Sequence, residues 1–179
     1  RAIQPLRADR AWATVATVRF ETSPGQQAPV DFGQIRLWIG DRCERIHVFV
    51  MTLSYSRRVW VRAYPHEQLR ALLDGHEQAF QHFGGVPLTC LYDNPRTLVL
   101  GRRERQVLWH PVVEDVARYY GYTPRACQPY RAQTKGKVES GVKYVKRNAL
   151  AGRRFGSWEA LNAWLQEWMV TVADQRVHG

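Results

Sequence analysis

Three apolar segments follow one another between Pro29 and Ala63, and the connections between them are too short to cross a sheet. Apolar residues recur from Pro29 to Ile39. After the turn signal Gly40-Asp41, the segment Cys43 to Leu53 alternates and then runs continuously apolar, as a central strand does, and Arg58 to Ala63 follows the short Ser54-Tyr55-Ser56 connection. Strands joined this tightly can pair only as an antiparallel meander. Pro65-His66-Glu67 then opens a run with Leu69, Leu72, Leu73, His76, Phe80 and Phe83 at spacings of three and four, closed by Gly84-Gly85. This pattern predicts a helix of about five turns. The apolar stretch Val86 to Tyr92 returns from that helical crossover, so parallel pairing is expected. The order β-β-β-α-β therefore commits the chain to a mixed α/β sheet.

The remaining chain extends the same plan. Residues 97 to 110 read as a hairpin or a basic loop around Gly101-Arg102-Arg103-Glu104-Arg105. Pro111 starts a helix with Val112, Val113, Val116 and Tyr120 on one face and Gly121 at its stop, and Thr123 to Gln128 can add a fifth strand. From Thr134 to Leu150, Val138, Val142, Val145 and Ala149 share one helical face, with Glu139, Lys143, Lys146 and Arg147 on or beside the opposite one. A last helix follows the candidate N-cap Ser157, with Trp158, Leu161, Trp164, Leu165, Trp168 and Val172 as its core stripe. The expected organisation is an arm over 1–26, a catalytic-sized core over 27–155 with a five-stranded mixed sheet flanked by helices, and a C-terminal helix over 156–179 packing on it. With Arg rather than Met first and no terminal signal, the chain reads as a piece cut at both ends.

The 179 residues suit one main core, and 26 Lys plus Arg against 16 Asp plus Glu leave a formal charge of +10. Such a surplus points to a polyanionic partner. Because 45% of the chain is hydrophobic and seven residues are Trp, the charge belongs to a folded domain and not to a disordered basic tail. The longest apolar stretch is Val48-Phe49-Val50-Met51, which argues against membrane insertion, and a cytoplasmic protein is expected, nucleoid-associated when bound to DNA. Cys43, Cys90 and Cys127 form no C-x-x-C pair, so buried free thiols are expected in place of a disulfide framework or zinc finger. The six His show no metal-ligand spacing.

Three acids lie where the pattern predicts partial burial. Asp31 interrupts the first strand, Asp93 ends the run Leu91-Tyr92, and Glu139 begins the polar side of the late helix. An unpaired buried carboxylate is costly. If the first and fourth strands are neighbours, Asp31 and Asp93 project at adjacent points, and a helix packed across them can bring Glu139. Three converging carboxylates suit hard divalent cations, two Mg²⁺ or Mn²⁺ ions, which drive in-line displacement at a phosphodiester. Between Arg125 and Arg154 nine Lys or Arg surround Glu139 alone. Of these, Lys143 and Lys146 share its helix face and, with Lys135, Lys137 and Arg147, are candidate phosphate-holding residues.

In this context Val30-Asp31-Phe32-Gly33, Tyr92-Asp93-Asn94 and Lys135-Gly136-Lys137-Val138-Glu139, preceded by Pro129-Tyr130-Arg131-Ala132-Gln133, resemble the retroviral-integrase-type catalytic core of DDE transposases. The similarity extends to IstA-type insertion-sequence transposases through the segment Phe20 to Ala28 and the end Arg176-Val177-His178-Gly179. The resemblance implies an RNase H-like fold, a Mg²⁺-dependent triad of Asp31, Asp93 and Glu139, DNA 3′-end cleavage and strand transfer into target DNA. It also implies flanking DNA-binding domains, an IstB-type AAA+ ATPase partner and a homo-oligomer that synapses transposon ends. The 45 residues between Asp93 and Glu139 exceed the spacing typical of integrases, which fits an insertion at 100 to 110. Two alternatives remain at this point: an RNase H or junction-resolving nuclease, with Glu67 or Glu77 as a fourth carboxylate, and a catalytically inactive DNA-binding or assembly module.

Overall fold

A computed structural model describes residues 22–93, 98–104, 106–127 and 141–176. The chain opens with β1 (Gln27–Ile39), β2 (Arg42–Thr52) and β3 (Val59–Tyr64), which form the expected antiparallel meander. Helix α1 (Leu69–Phe83) crosses to β4 (Thr89–Tyr92), which pairs in parallel with β1. A separate ribbon of β5 (Val99–Arg103) and β6 (Gln106–Trp109) follows, so the segment at 97 to 110 is a hairpin. Helix α2 (Pro111–Tyr120) leads into β7 (Thr123–Ala126), parallel to β4. Five strands of the sheet follow the order β3-β2-β1-β4-β7, the mixed arrangement expected from the sequence, and a short sixth strand joins β1. Helix α3 is described over 141–145 and runs on through a π turn, Lys146–Leu150. The two-residue β8 (Arg154–Phe155) adds to the far end of β1, and α4 (Trp158–Trp168) runs into a second π turn, Met169–Ala173.

Local chemistry explains most boundaries. Ser157 caps α4 as expected, its hydroxyl accepting from the Ala160 amide at 3.1 Å. His110 plays the same part for α2, its Nδ1 accepting from the Val112 amide at 3.2 Å ahead of Pro111 at the first turn. Gly84 and Gly121 end α1 and α2 in the left-handed conformation, at φ 71° and 77°. The structure corrects the sequence reading at three points. Helix α1 starts at Leu69 and not at Pro65, because Gln68 is extended and Glu67 is drawn to His47, 3.5 Å away. Val172 is exposed while Met169 and Ala173 are buried, because the π turn shifts the helical phase after Trp168. Cys43 is exposed, on a stretch of sheet that no helix among the described residues covers, whereas Cys90 and Cys127 are buried as expected.

The sheet separates two environments. In β1, Asp31 and Gly33 point to one face, and Val30 and Phe32 to the other. Helix α3 covers the first face, where Val142, Val145, Ala149 and Leu150 are buried. Helix α1 covers the second, with Phe49 packed edge-on against Phe32, Trp60 and His76. So close is α1 that a Cβ on Gly75 would lie 2.7 Å from the Phe49 ring.

Candidate active site

Asp31, within β1, and Asp93, directly after β4, sit side by side. Val30 pairs with Tyr92 in the parallel β1–β4 ladder, and one further step along both strands sets Asp93 beside Asp31. Neighbouring strands lie about 4.8 Å apart, and directly opposed residues point to the same face. Both aspartates are half-buried, Asp31 within β1 and Asp93 directly after the carboxyl end of β4. The adjacency of the first and fourth strands, on which the expected convergence depends, is what the structure shows.

Cys127 lies at the same convergence. It follows β7 by one residue, and its amide donates to the Tyr92 carbonyl at 2.8 Å, extending the row across a third strand. Burial, then the negative charges of Asp93 and Asp31, push its thiol up to about 11. A thiolate there would be desolvated and repelled from two sides, so the sulfur stays protonated at neutral pH. The sequence carries no single-residue signal for this placement, which only the strand order reveals.

The third wall is α3. A Cβ on Gly33 would fall 2.3 Å from Val142 Cγ1 and 3.1 Å from Lys146 Cε, so only glycine lets the helix lie this close over β1. Gly141 packs equally tightly over β2, where a Cβ would meet Thr52 Oγ1 at 2.9 Å and Val50 Cγ1 at 3.4 Å. Val50 is the register partner of Asp31. The described start of α3 therefore lies at the level of Asp31 and on its face. Glu139 precedes Gly141 by two residues but lies outside the described residues, as do Lys135 and Lys137. Among the described residues, His, Cys, Asp and Glu side chains form no cluster of three able to hold a metal. Lys143 and Arg147 are exposed, and Lys146 is half-buried with its stem across Gly33. Glycine inside the strand at Asp31-Phe32-Gly33 was the available signal for this close approach.

Beneath the carboxylates, on the α1 face, lies a buried polar chain. His76 Nδ1 is 2.7 Å from the Leu72 carbonyl, which can only accept, so Nδ1 carries the hydrogen. Nε2 then accepts from the Tyr92 hydroxyl at 2.7 Å, and Tyr122 Oη lies 3.2 Å beyond. Complete burial, only partly offset by the Leu72 carbonyl, lowers the His76 pKa from 6.5 to about 4 and keeps the ring neutral. Tyr92, adjacent to Asp93, is thereby tied to α1 and to the residue before β7. Neither proposed fourth carboxylate joins the site: Glu67 is engaged by His47, opposite Gln34 on the α1 face, and Glu77 is exposed on α1.

Comparison with known proteins agrees with this geometry. The integrase core domain family matches residues 21–132. The chain is 40% identical over 176 residues to the transposase for insertion sequence element IS21 of Pseudomonas aeruginosa, covering 97% of this chain and 44% of that protein. It is 38% identical over 161 residues to a putative transposase for insertion sequence element IS5376 of Geobacillus stearothermophilus, covering 89% and 40%. The chain thus spans about half the length, or less, of these relatives. Among solved structures, the catalytic core domain of BIV integrase superposes with a TM-score of 0.60 at 18% identity, over 87% of this chain and 88% of that one. An HTLV-2 integrase catalytic core domain in complex with magnesium superposes at 0.56 with 13% identity, over 87% and 91%. These likenesses show the RNase H-like integrase fold, and with the match over most of its length the chain belongs to the integrase core domain family.

Proposed function

We propose that this chain is the catalytic core of a DDE transposase, which cleaves DNA 3′ ends and transfers them into target DNA. The placement of Asp31, within β1, beside Asp93, directly after β4, with the described start of α3 at the level of Asp31, carries this reading. Two half-buried carboxylates side by side repel one another in the absence of positive charge, and their oxygens are the donors that hard divalent ions prefer. The residues present therefore fit Mg²⁺, with Mn²⁺ as a substitute; Asp31 and Asp93 would hold two ions together with Glu139. Such ions, when bound, supply an activated water or 3′-hydroxyl and neutralise charge on the leaving oxygen.

The chain's own residues supply position. Parallel pairing of β1 with β4 fixes the separation of the two aspartates, and the Tyr92–His76 bond holds the strand from which Asp93 departs. Lys143, Lys146 and Arg147 lie on or beside the helix that overhangs the site and would hold DNA phosphates without reading bases, as would Lys135 and Lys137. The full-length protein would act on transposon ends and target DNA as a homo-oligomer in the bacterial cytoplasm, with an IstB-type AAA+ ATPase as its partner.

Substituting Asp31→Asn, Asp93→Asn or Glu139→Gln is expected to abolish Mg²⁺-dependent strand transfer, by at least about a thousandfold, while DNA binding persists. A second readout needs no turnover: Mg²⁺ or Mn²⁺ should raise the thermal midpoint of the wild type and not of the Asp31→Asn/Asp93→Asn double variant. Retained strand transfer in any of the three single variants overturns the triad.

A further inference from the structure

At the far end of β1 and β2 the sheet presents a face that no helix among the described residues covers. Gln34, Arg36 and Trp38 alternate onto that face, and their register partners are His47, Arg45 and Cys43. All but the half-buried His47 are exposed. Arg154 pairs with Trp38 from β8, and its guanidinium lies 4.7 Å from the centre of the indole ring. Three arginines and one tryptophan thus occupy a flat patch, on the side of the sheet opposite Asp31 and Asp93.

Arg36 directly opposite Arg45 is a liability for the fold, since like charges at opposed positions of an antiparallel pair repel. Among the described residues neither has an ion-pair partner, and the acid that reaches this face, Glu67, is held at its edge by His47. The Trp38 ring props the Arg154 guanidinium, which leaves its N–H edge available for a bidentate oxyanion. Uncompensated cations with preset planes suit a phosphate backbone. A second copy of the chain laid on the same patch would set arginine against arginine.

We propose that this face is a second DNA-binding surface, which holds the phosphates of a duplex segment other than the one being cut. The proposal rests on the reading of the chain as a transposase core, and it extends that reading by assigning the non-reacting DNA a place. A duplex segment at Asp31 and Asp93 lies across the opposite side of the sheet, so both surfaces can be filled together. The contacts would be to backbone and therefore independent of sequence.

The test uses a labelled duplex lacking transposon ends, with binding measured across a range of salt concentrations. Replacing Arg36, Arg45 and Arg154 together with Ala should flatten the log–log salt dependence by roughly 0.9 per lost phosphate contact. Lys at all three positions should restore most of it. Arg45→Glu gives a readout that misfolding cannot mimic: by converting repulsion into an Arg36–Glu pair it should raise the thermal midpoint while weakening DNA binding. An unchanged salt slope in the triple Ala variant overturns the proposal, including the case in which the patch serves an acidic protein. Asp31→Asn, assayed in parallel for Mg²⁺-dependent cleavage, reports on the underlying reading: cleavage lost in that variant with an unchanged slope in the Ala variant would sink this surface alone.

Discussion

The two faces of β1 near Asp31 differ in kind. Beneath α1, Phe32, Phe49, Trp60 and the ring of His76 interlock, and every polar atom of the His76–Tyr92–Tyr122 chain is placed against a partner. Beneath α3, glycines at 33 and 141 let a helix descend onto the strands, and the carboxylates stand at its described start. One face is filled by large rings; the other is kept low by missing side chains. The rigid face positions the reactive one, because residues alternate along each strand: Val30 and Phe32 flank Asp31, and Tyr92 precedes Asp93. A change on the α1 face should therefore reach the site through strand position, and a change on the α3 face through the helix.

Acid breaks this division from the α1 side, with the largest effect on stability. The ordinary His76 pKa of 6.5 is lowered to about 4 by burial in the folded protein, so below 6.5 the unfolded chain takes up a proton that the folded chain refuses. Stability from this group is complete above 6.5 and falls with pH until about 4, a loss of about 3 kcal/mol. Chemical denaturation at pH 7 and pH 4 should show this loss in the wild type. The Gln variant of His76, which cannot titrate, should lose less by that amount, and equal losses in the two proteins would remove His76 from the account.

Much of this architecture was legible. The meander, the crossover helix and the parallel return of β4 follow from connection lengths and apolar periodicity alone, but that β4 returns beside β1, which brings Asp31 beside Asp93, does not. What periodicity could not give was phase after a π turn, which exposed Val172, or the exposure of Cys43, which depends on where α1 stops covering the sheet. The row Asp31–Asp93–Cys127 needed strand order as well as strand identity, and a tertiary row leaves no pattern in consecutive residues. Charge was legible in amount but not in address: sequence density pointed to Arg125 to Arg154, while the Arg36–Arg45 opposition appears only once the register is known.

Gly33→Ala probes the α3 face, with a smaller expected cost. The new methyl would fall 2.3 Å from Val142 Cγ1, and a β-branched residue in a helix has little rotamer freedom to yield. Overpacking of this size costs about 2 kcal/mol, and the displaced α3 should lower strand transfer further than stability alone explains. Adding Val142→Ala should return part of both losses. If the two substitutions instead add without coupling in a double-mutant cycle, Gly33 is not the point of helix contact.

The smallest effect should come from Tyr122→Phe, which separates packing from hydrogen bonding within the rigid face. The ring stays stacked on His76, with centroids 5.9 Å apart, and only the hydroxyl is lost. Because Tyr92 gives its own hydrogen to His76 Nε2, its oxygen takes the hydrogen of Tyr122, and removing that donor leaves one buried acceptor site unfilled. A cost of about 1 kcal/mol follows, with no change in the pH dependence that His76 sets. Tyr92→Phe should cost more, since it strips the acceptor Nε2 of its donor and loosens the strand end that carries Asp93. Equal costs for the two variants would mean that ring packing, and not the hydroxyl chain, holds that end of β4 in place.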